Sequence, residues 1–172
     1  MLAEEIKKRT PQTLIVFGGP SCDNQELILK RQVDFLVFRE GEETIIEFVE
    51  KIAKGLPLDN CAGIVFLKNN QVVKTKNRAF IENINTIPFP DFDSFNLSIY
   101  SSKALPMFTS RGCPNRCTFC SESPRWGRFR FRNAENIVNE MERNIQEYGI
   151  THFSMEDSTI NGNIAEFEKC VT

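Results

Sequence analysis

The chain has 172 residues, of which 41% are hydrophobic and 26% charged, with a formal net charge of −2; that is enough for one or two small domains with a real core, and it excludes a globally basic nucleic-acid or membrane-surface binder. No apolar run is long enough to span a bilayer, and residues 1–9, with Glu4, Glu5, Lys7 and Lys8, lack a signal-peptide core, so no membrane is expected and a cytoplasmic location is the default. Cys22, Cys61 and Cys170 are scattered without pairing logic and read as reduced and buried, in keeping with a reducing compartment.

Residues 1–9 read as the end of an amphipathic helix, with Leu2 and Ile6 on one side and no partner of its own. The apolar run Leu14-Ile15-Val16-Phe17, ended by Gly18-Gly19-Pro20, predicts a strand buried on both faces in a parallel sheet. A short helix is predicted over 23–31, with Asp23 or Asn24 as cap and Leu27 and Ile28 inward. After Asp34, the run Phe35-Leu36-Val37-Phe38 predicts a second buried strand. Residues 40–44 then turn into a helix whose Ile45, Ile46, Phe48, Val49, Ile52 and Ala53 recur at helical spacing until Gly55 and Pro57. Strand, helix, strand, helix is half of a doubly wound α/β sheet. Residues 61–76 read as a hairpin, with Lys68-Asn69-Asn70-Gln71 suited to a positive-φ turn.

Residues 83–104, stiffened by Pro88 and Pro90, read as a linker, which divides the chain into 1–82, 83–104 and 105–172. Leu105-Pro106-Met107-Phe108-Thr109 predicts a strand that delivers a cysteine-rich loop at its C-terminal end, where (β/α) barrels place their sites. Asn133 is expected to cap a helix with Ile137, Val138, Met141, Ile145 and Tyr148 on one stripe, closed by Gly149. Residues 150–155 form a further strand, with His152 read as a satisfied core residue. Glu156-Asp157-Ser158-Thr159 follows, then a helix from about Asn163. The stretch Trp126-Gly127-Arg128-Phe129-Arg130-Phe131-Arg132 alternates cation and aromatic. Such interleaving can grip phosphates and stack bases. The preferred reading instead packs the aromatics under the cysteine loop and turns the arginines to solvent or acidic side chains, so a nucleic-acid partner is not expected.

The loop itself, Thr109-Ser110-Arg111-Gly112-Cys113-Pro114-Asn115-Arg116-Cys117-Thr118-Phe119-Cys120, places three cysteines within eight residues. Three thiolates cannot pair among themselves without one left over, and they suit a thiophilic metal centre. A structural zinc site normally closes with four ligands, whereas the only histidine, His152, and Cys170 lie far along the chain. Open three-thiolate sets fit iron–sulfur chemistry better.

The spacing C-x3-C-x2-C, with an aromatic residue before the last cysteine, resembles the cluster loop of the radical S-adenosylmethionine (SAM) enzymes. The resemblance implies that Cys113, Cys117 and Cys120 hold three irons of a [4Fe-4S] cluster. The fourth iron is then chelated by the amino and carboxylate groups of SAM, with the backbone around Phe119 along the adenine. It implies reductive cleavage of SAM to methionine and a 5′-deoxyadenosyl radical, fed by a one-electron reductant such as flavodoxin or ferredoxin and acting on a small-molecule substrate that the sequence does not name. Glu156 or Asp157 falls where the family contacts the SAM amino group, and capping of the next helix is an equal alternative for both.

The first half resembles the C-terminal part of the Rossmann-like cobalamin-binding domain that precedes the radical domain in one branch of the family. Gly18 and Gly19 fall at that domain's paired glycines, beside the cofactor's nucleotide tail, which makes cobalamin a candidate cofactor for methyl transfer or rearrangement. Arg39-Glu40-Gly41-Glu42 resembles the branch's Gly-Glu-Gly-Glu turn with Arg39 in place of the first glycine, and Pro88-Phe89-Pro90-Asp91 resembles its connector. The early half of a cobalamin domain, including an Asp-x-His-x-x-Gly stretch, has no counterpart. The expected fold is therefore α/β, the back of a cobalamin domain followed by the first βα units of a partial TIM-type barrel. As a fragment of a longer enzyme it is not expected to be competent alone. The rival reading is a zinc-binding or RNA-interacting module without catalysis, and a third is a regulatory remnant that binds no cofactor.

Overall fold

The computed structural model describes residues 2–20, 22, 24–30, 33–100 and 104–172. The chain divides into two units, Met1–Phe80 and Ile81–Thr172.

In the first unit, helix α1 (Leu2–Arg9) leads to strand β1 (Val16–Gly19), helix α2 (Glu26–Leu29), strand β2 (Phe35–Phe38), helix α3 (Glu42–Ala53) and the hairpin β3 (Ile64–Lys68) and β4 (Gln71–Lys74). The four strands form one sheet in the order β1-β2-β3-β4. β1 and β2 are parallel, with Val16 opposite Phe35, whereas β2–β3 and β3–β4 are antiparallel. The sheet is thus mixed, because the hairpin adds to the far side of β2. Side-chain alternation splits the core into two layers. Leu36, Phe38 and Val65 pack with Cys22, Ile28 and Val33 on one face, and Val37, Ile64 and Phe66 pack with Phe48 and Cys61 on the other.

A strand buried on both faces is found at β2, where Leu36, Val37 and Phe38 are all buried, and not at β1. β1 lies at one edge of the described sheet with Phe17 52% exposed, and Gly18 and Gly19 lie within the strand rather than ending it. α2 is shorter than expected; Asn24 Oδ1 accepts from the Glu26 N–H at 3.0 Å while Ile28 is buried. The expected Asp23 cap and Arg31 terminus lie outside the described residues, as does Met1. α1 has a partner after all, since Lys7 Nζ pairs with Asp34 at 2.7 Å. That same carboxylate accepts from the Ile15 N–H at 2.7 Å, anchoring the start of β1.

α3 rests on the sheet through Thr44 and Phe48, while Ile45, Ile46, Val49 and Ile52 of its expected inward stripe are exposed. Those residues occupy a wider arc than the single track that touches the sheet. The helix stops at Gly55, whose φ of 62° is the left-handed C-terminal conformation. Arg78 fastens α3 from outside, pairing with Glu47 and donating from Nε to Thr44 Oγ1 at 2.8 Å. Asn69 and Asn70 both take positive φ, 50° and 62°, as the hairpin turn requires.

The second unit begins with residues 81–100, whose two short 3-10 turns are capped by Asn83 and Asn96 side chains. Strand β5 (Ala104–Met107), strand β6 (Ser110–Arg111), helix α4 (Glu122–Trp126), strand β7 (Arg130–Phe131), helix α5 (Ala134–Tyr148), strand β8 (His152–Met155) and helix α6 (Ile164–Val171) follow. β5 and β8 pair in parallel, from Ala104 opposite His152 to Met107 opposite Met155, with α5 as the crossover. β6 and β7 form a separate two-residue antiparallel ladder at the C-terminal end of β5.

α5 starts where Asn133 accepts from the Asn136 N–H and ends at left-handed Gly149. Its buried face is Ala134, Ile137, Glu140 and Asn144, while Ile145 is exposed. The face is turned from the apolar stripe because Arg132 draws Glu140 inward at 2.5 Å. Tyr148 holds residues 91–95: its ring meets Phe92 edge-on at 5.7 Å and its Oη accepts from the Phe92 N–H at 3.1 Å. His152 is exposed rather than a core residue, its Nδ1 3.1 Å from Thr151 Oγ1. It shares the exposed side of β8 with Ser154. Among the described residues, no helix is long and apolar enough to cross a membrane.

Candidate functional site

The cysteine loop leaves the β5–β6 corner at Gly112, whose φ is 81°. A Cβ there would stand 3.2 Å from Arg128 O and 3.4 Å from Trp126 Cβ. Glycine is therefore required both for the turn and for the close approach of the 126–128 backbone. Cys113 and Cys120 are half-buried and Cys117 is exposed, with the Cys120 N–H donating to Cys117 O at 3.0 Å to form the final turn of the loop. Phe119 is 91% exposed. All six cysteines are free; Cys22 and Cys61 are buried as expected, but Cys170 is only half-buried. Burial pushes the Cys61 and Cys170 thiols up. Cys113 moves the other way, held below the usual thiol range by its hydrogen bonds to Thr159 and Asn115.

Among the described residues, no three His, Cys, Asp or Glu side chains close on a single metal ion. Tetrahedral zinc, with Zn–S bonds of about 2.3 Å, needs its sulfurs within about 3.8 Å of one another. An iron–sulfur cluster takes one thiolate per iron, so its ligands stand farther apart. Three free thiols within eight residues of one short loop fit the second donor set.

The loop is braced by the three residues that follow Glu156 at the end of β8. Asp157 accepts from the Thr109 N–H at 3.0 Å and the Ser110 hydroxyl at 2.5 Å, before the first cysteine. Ser158 Oγ donates to Glu122 Oε2 at 2.6 Å, just beyond the last cysteine. Thr159 Oγ1 lies 3.0 Å from Cys113 Sγ. Neither Glu156 nor Asp157 caps α6; Asn163 does, accepting from the Glu166 N–H at 3.3 Å. Asp157 is occupied by the β5–β6 corner, whereas exposed Glu156 receives only the neighbouring Ser154 hydroxyl among the bonds resolved to its side chain, at 2.6 Å. Both line a cleft of about 280 Å³ shared with Gly112, Glu122, Arg125 and Trp126.

Trp126 does lie beneath the loop, with Arg111 stacked over it at 5.4 Å, and Phe129 packs on Gly162 so closely that a Cβ there would meet its ring at 2.5 Å. Of the arginines, expected to face solvent or acidic side chains, Arg128 and Arg132 do so and Arg130 departs. Arg130 is buried and donates to Ile81 O at 2.7 Å and Trp126 O at 3.0 Å. Arg132 is buried against Glu140, and only Arg128 is exposed, paired with Glu82. The local alternation identified aromatic packing but not these carbonyl partners, and nothing in the sequence pointed to Thr159.

In the first unit, Gly19 has a φ of 142° and open space where a Cβ would project, while Gly18 tolerates one at ordinary contact with Val37. Arg39 adopts φ 63° at the C-terminal end of β2, the left-handed conformation a glycine would take, with its guanidinium over Phe80 at 4.9 Å.

A family model described as the radical SAM superfamily matches residues 107–171. An uncharacterized methyltransferase of Pyrococcus horikoshii is 31% identical over 169 residues, covering 94% of this chain and 37% of its own length. The anaerobic magnesium-protoporphyrin IX monomethyl ester cyclase of Synechocystis is 26% identical over 170 residues, covering 95% and 34%. The chain thus spans about a third of the length of these relatives. Among solved structures, the radical SAM methyltransferase TsrM of Kitasatospora setae, with tryptophan and a SAM analog bound, matches with a TM-score of 0.75 at 21% identity over 99% of this chain and 34% of its own. The cobalamin-dependent SAM radical enzyme OxsB, with aqua-cobalamin and SAM bound, matches with a TM-score of 0.74 at 23% identity over 98% and 24%. At those identities the likeness is one of fold, a mixed α/β arrangement with parallel strand pairs. The family match covers the cysteine loop and the chain from there through β8 and α6, so residues 107–171 belong to the radical SAM superfamily, and the solved structures that the chain resembles include cobalamin-dependent SAM radical enzymes.

Proposed function

We propose that this chain carries the cluster-binding part of a radical SAM enzyme, with Cys113, Cys117 and Cys120 as the ligands of a [4Fe-4S] cluster. The observation that carries the reading is the placement of three free thiols on one loop at the C-terminal end of β5, braced from the C-terminal end of the parallel strand β8. A cluster held there would supply the single electron needed for reductive cleavage of a carbon–sulfur bond of SAM. The chain's own residues hold and orient. Glu156, the carboxylate left exposed in the cleft, takes the ammonium of SAM, while Asp157 keeps the β5–β6 corner in place. Backbone around exposed Phe119 is left for the adenine.

In this reading residues 105–172 are the first βα units of a TIM-type barrel, 83–104 the connector, and 1–82 the C-terminal part of a Rossmann-like cobalamin-binding domain. The open space over Gly19, at the C-terminal edge of the parallel β1–β2 pair, supports cobalamin as a second cofactor. The parent enzyme then performs methyl transfer or ring rearrangement on a small molecule, using a cytoplasmic one-electron donor of the flavodoxin or ferredoxin kind. The burial of Arg130 and Arg132 on carbonyls and Glu140 disfavours an RNA-binding module.

Anaerobic reconstitution with iron and sulfide tests the assignment. An iron–sulfur absorption band that is lost in Cys117→Ser is the expected result; stoichiometric zinc uptake with no iron overturns it.

A further inference from the structure

Thr159 lies 46 residues from Cys113 in sequence, yet its hydroxyl oxygen sits 3.0 Å from that sulfur. Its position is set by the two residues before it and by the Gly162 N–H, which donates to the Thr159 carbonyl at 3.2 Å. Asp157 is fixed on Thr109 and Ser110, Ser158 is fixed on Glu122, and Thr159 has little freedom to retreat. The Thr159 hydroxyl also lies 2.7 Å from Ser158 O, where it donates when Cys113 holds its own proton. A hydroxyl carries one hydrogen. A metal-bound thiolate carries none, so the short oxygen–sulfur contact is attractive only if that hydrogen turns from the Ser158 carbonyl to the sulfur.

Resting on the cluster reading above, we propose that Thr159 is a positioning residue whose hydroxyl donates a hydrogen bond to the Cys113 sulfur of the cluster and thereby raises its reduction potential. A donor on a coordinated sulfur draws off negative charge, and the reduced cluster, one charge more negative, gains more from this than the oxidised one. Asp157 and Ser158 set the donor's place from the loop's two sides. The Asp157-Ser158-Thr159 run is therefore a clasp that fixes the loop at three points and tunes one ligand.

The test compares the full chain with Thr159→Val, which keeps the shape and removes the donor, and Thr159→Ser, which keeps the donor. Iron uptake by the unsubstituted chain examines the cluster reading by itself. Between chains of equal iron content, an anaerobic redox titration should place the midpoint of Thr159→Val at a more negative potential, with Thr159→Ser at the unsubstituted value. Equal midpoints for Thr159→Val and the unsubstituted chain overturn the proposal, as does a Thr159→Ser shift as large as that of Thr159→Val. A fall in iron content with no shift in midpoint marks a merely structural contact and overturns it too.

Discussion

Replacing Arg132 by methionine should unfold the second unit far more readily than a surface arginine would. Its guanidinium lies 2.5 Å from Glu140 Oε2, and the two side chains are only 11% and 3% exposed. It also donates to Phe108 O at 2.9 Å and to Asn136 Oδ1 at 2.6 Å, and stacks over Phe89 at 5.5 Å. Methionine fills the apolar volume but leaves the Glu140 carboxylate buried without its cation. Breaking a desolvated pair in this way costs about 3–5 kcal/mol. At a urea m-value of about 2 kcal/mol/M, that is a fall in midpoint of about 1.5–2.5 M. Arg132→Met with Glu140→Leu removes both charges and should recover most of the loss, giving a coupling of at least about 2 kcal/mol. The assay is urea unfolding followed by fluorescence of Trp126, the only tryptophan, which reports on the second unit. A loss under about 1 kcal/mol for Arg132→Met, or a double variant as unstable as the sum of the singles, would refute the buried-pair account.

Gly112→Ala strains a φ of 81° and presses a Cβ to within 3.2 Å of Arg128 O; a destabilisation of about 1–2 kcal/mol and reduced iron retention are expected by chemical unfolding and iron assay. Gly63→Ala, at φ 89°, would put a Cβ 2.7 Å from Thr44 Oγ1, which is itself held by Arg78. A loss of at least about 1–2 kcal/mol is expected there, whereas Gly55→Ala, with open space and φ 62°, should cost only the backbone strain; hydrogen exchange across α3 separates the two. Glu166 is held below the usual glutamate range by Lys169 and by the Ala134 N–H, which it accepts at 2.9 Å. A carboxylate depressed in the folded state stabilises fully above its unfolded value and less as pH falls through the folded one. Exchange protection of the Ala134 amide should therefore drop as the solution is acidified below the ordinary glutamate range, and this drop should be absent in Glu166→Gln.

The parts of this molecule that were legible in sequence are those governed by neighbours a few residues away. Asn133 and Gly149 bound α5, and Asn69-Asn70 turns the hairpin, because each satisfies a local backbone need. The spacing of the three cysteines is local in the same way, and the proposed ligand set rests on it together with the family resemblance. Contacts across long separations were not legible. Arg130 reaches Ile81 O over 49 residues and Asp157 reaches Thr109 over 48, and no periodicity encodes such a meeting. The apolar run at 14–17 misled because hydrophobicity reports a preference for burial, whereas an edge position is decided by strand order. Glu140 misled in the opposite direction: a charge counts as surface until a buried cation is known to face it.

The most direct measurement of the central claim is Mössbauer spectroscopy of the chain reconstituted with iron-57, before and after addition of SAM. Three protein thiolates on a four-iron cluster predict that about one iron in four changes its isomer shift when SAM is added while the others hold theirs. Four equivalent irons that ignore SAM, or a chain that takes up no iron, would contradict the account.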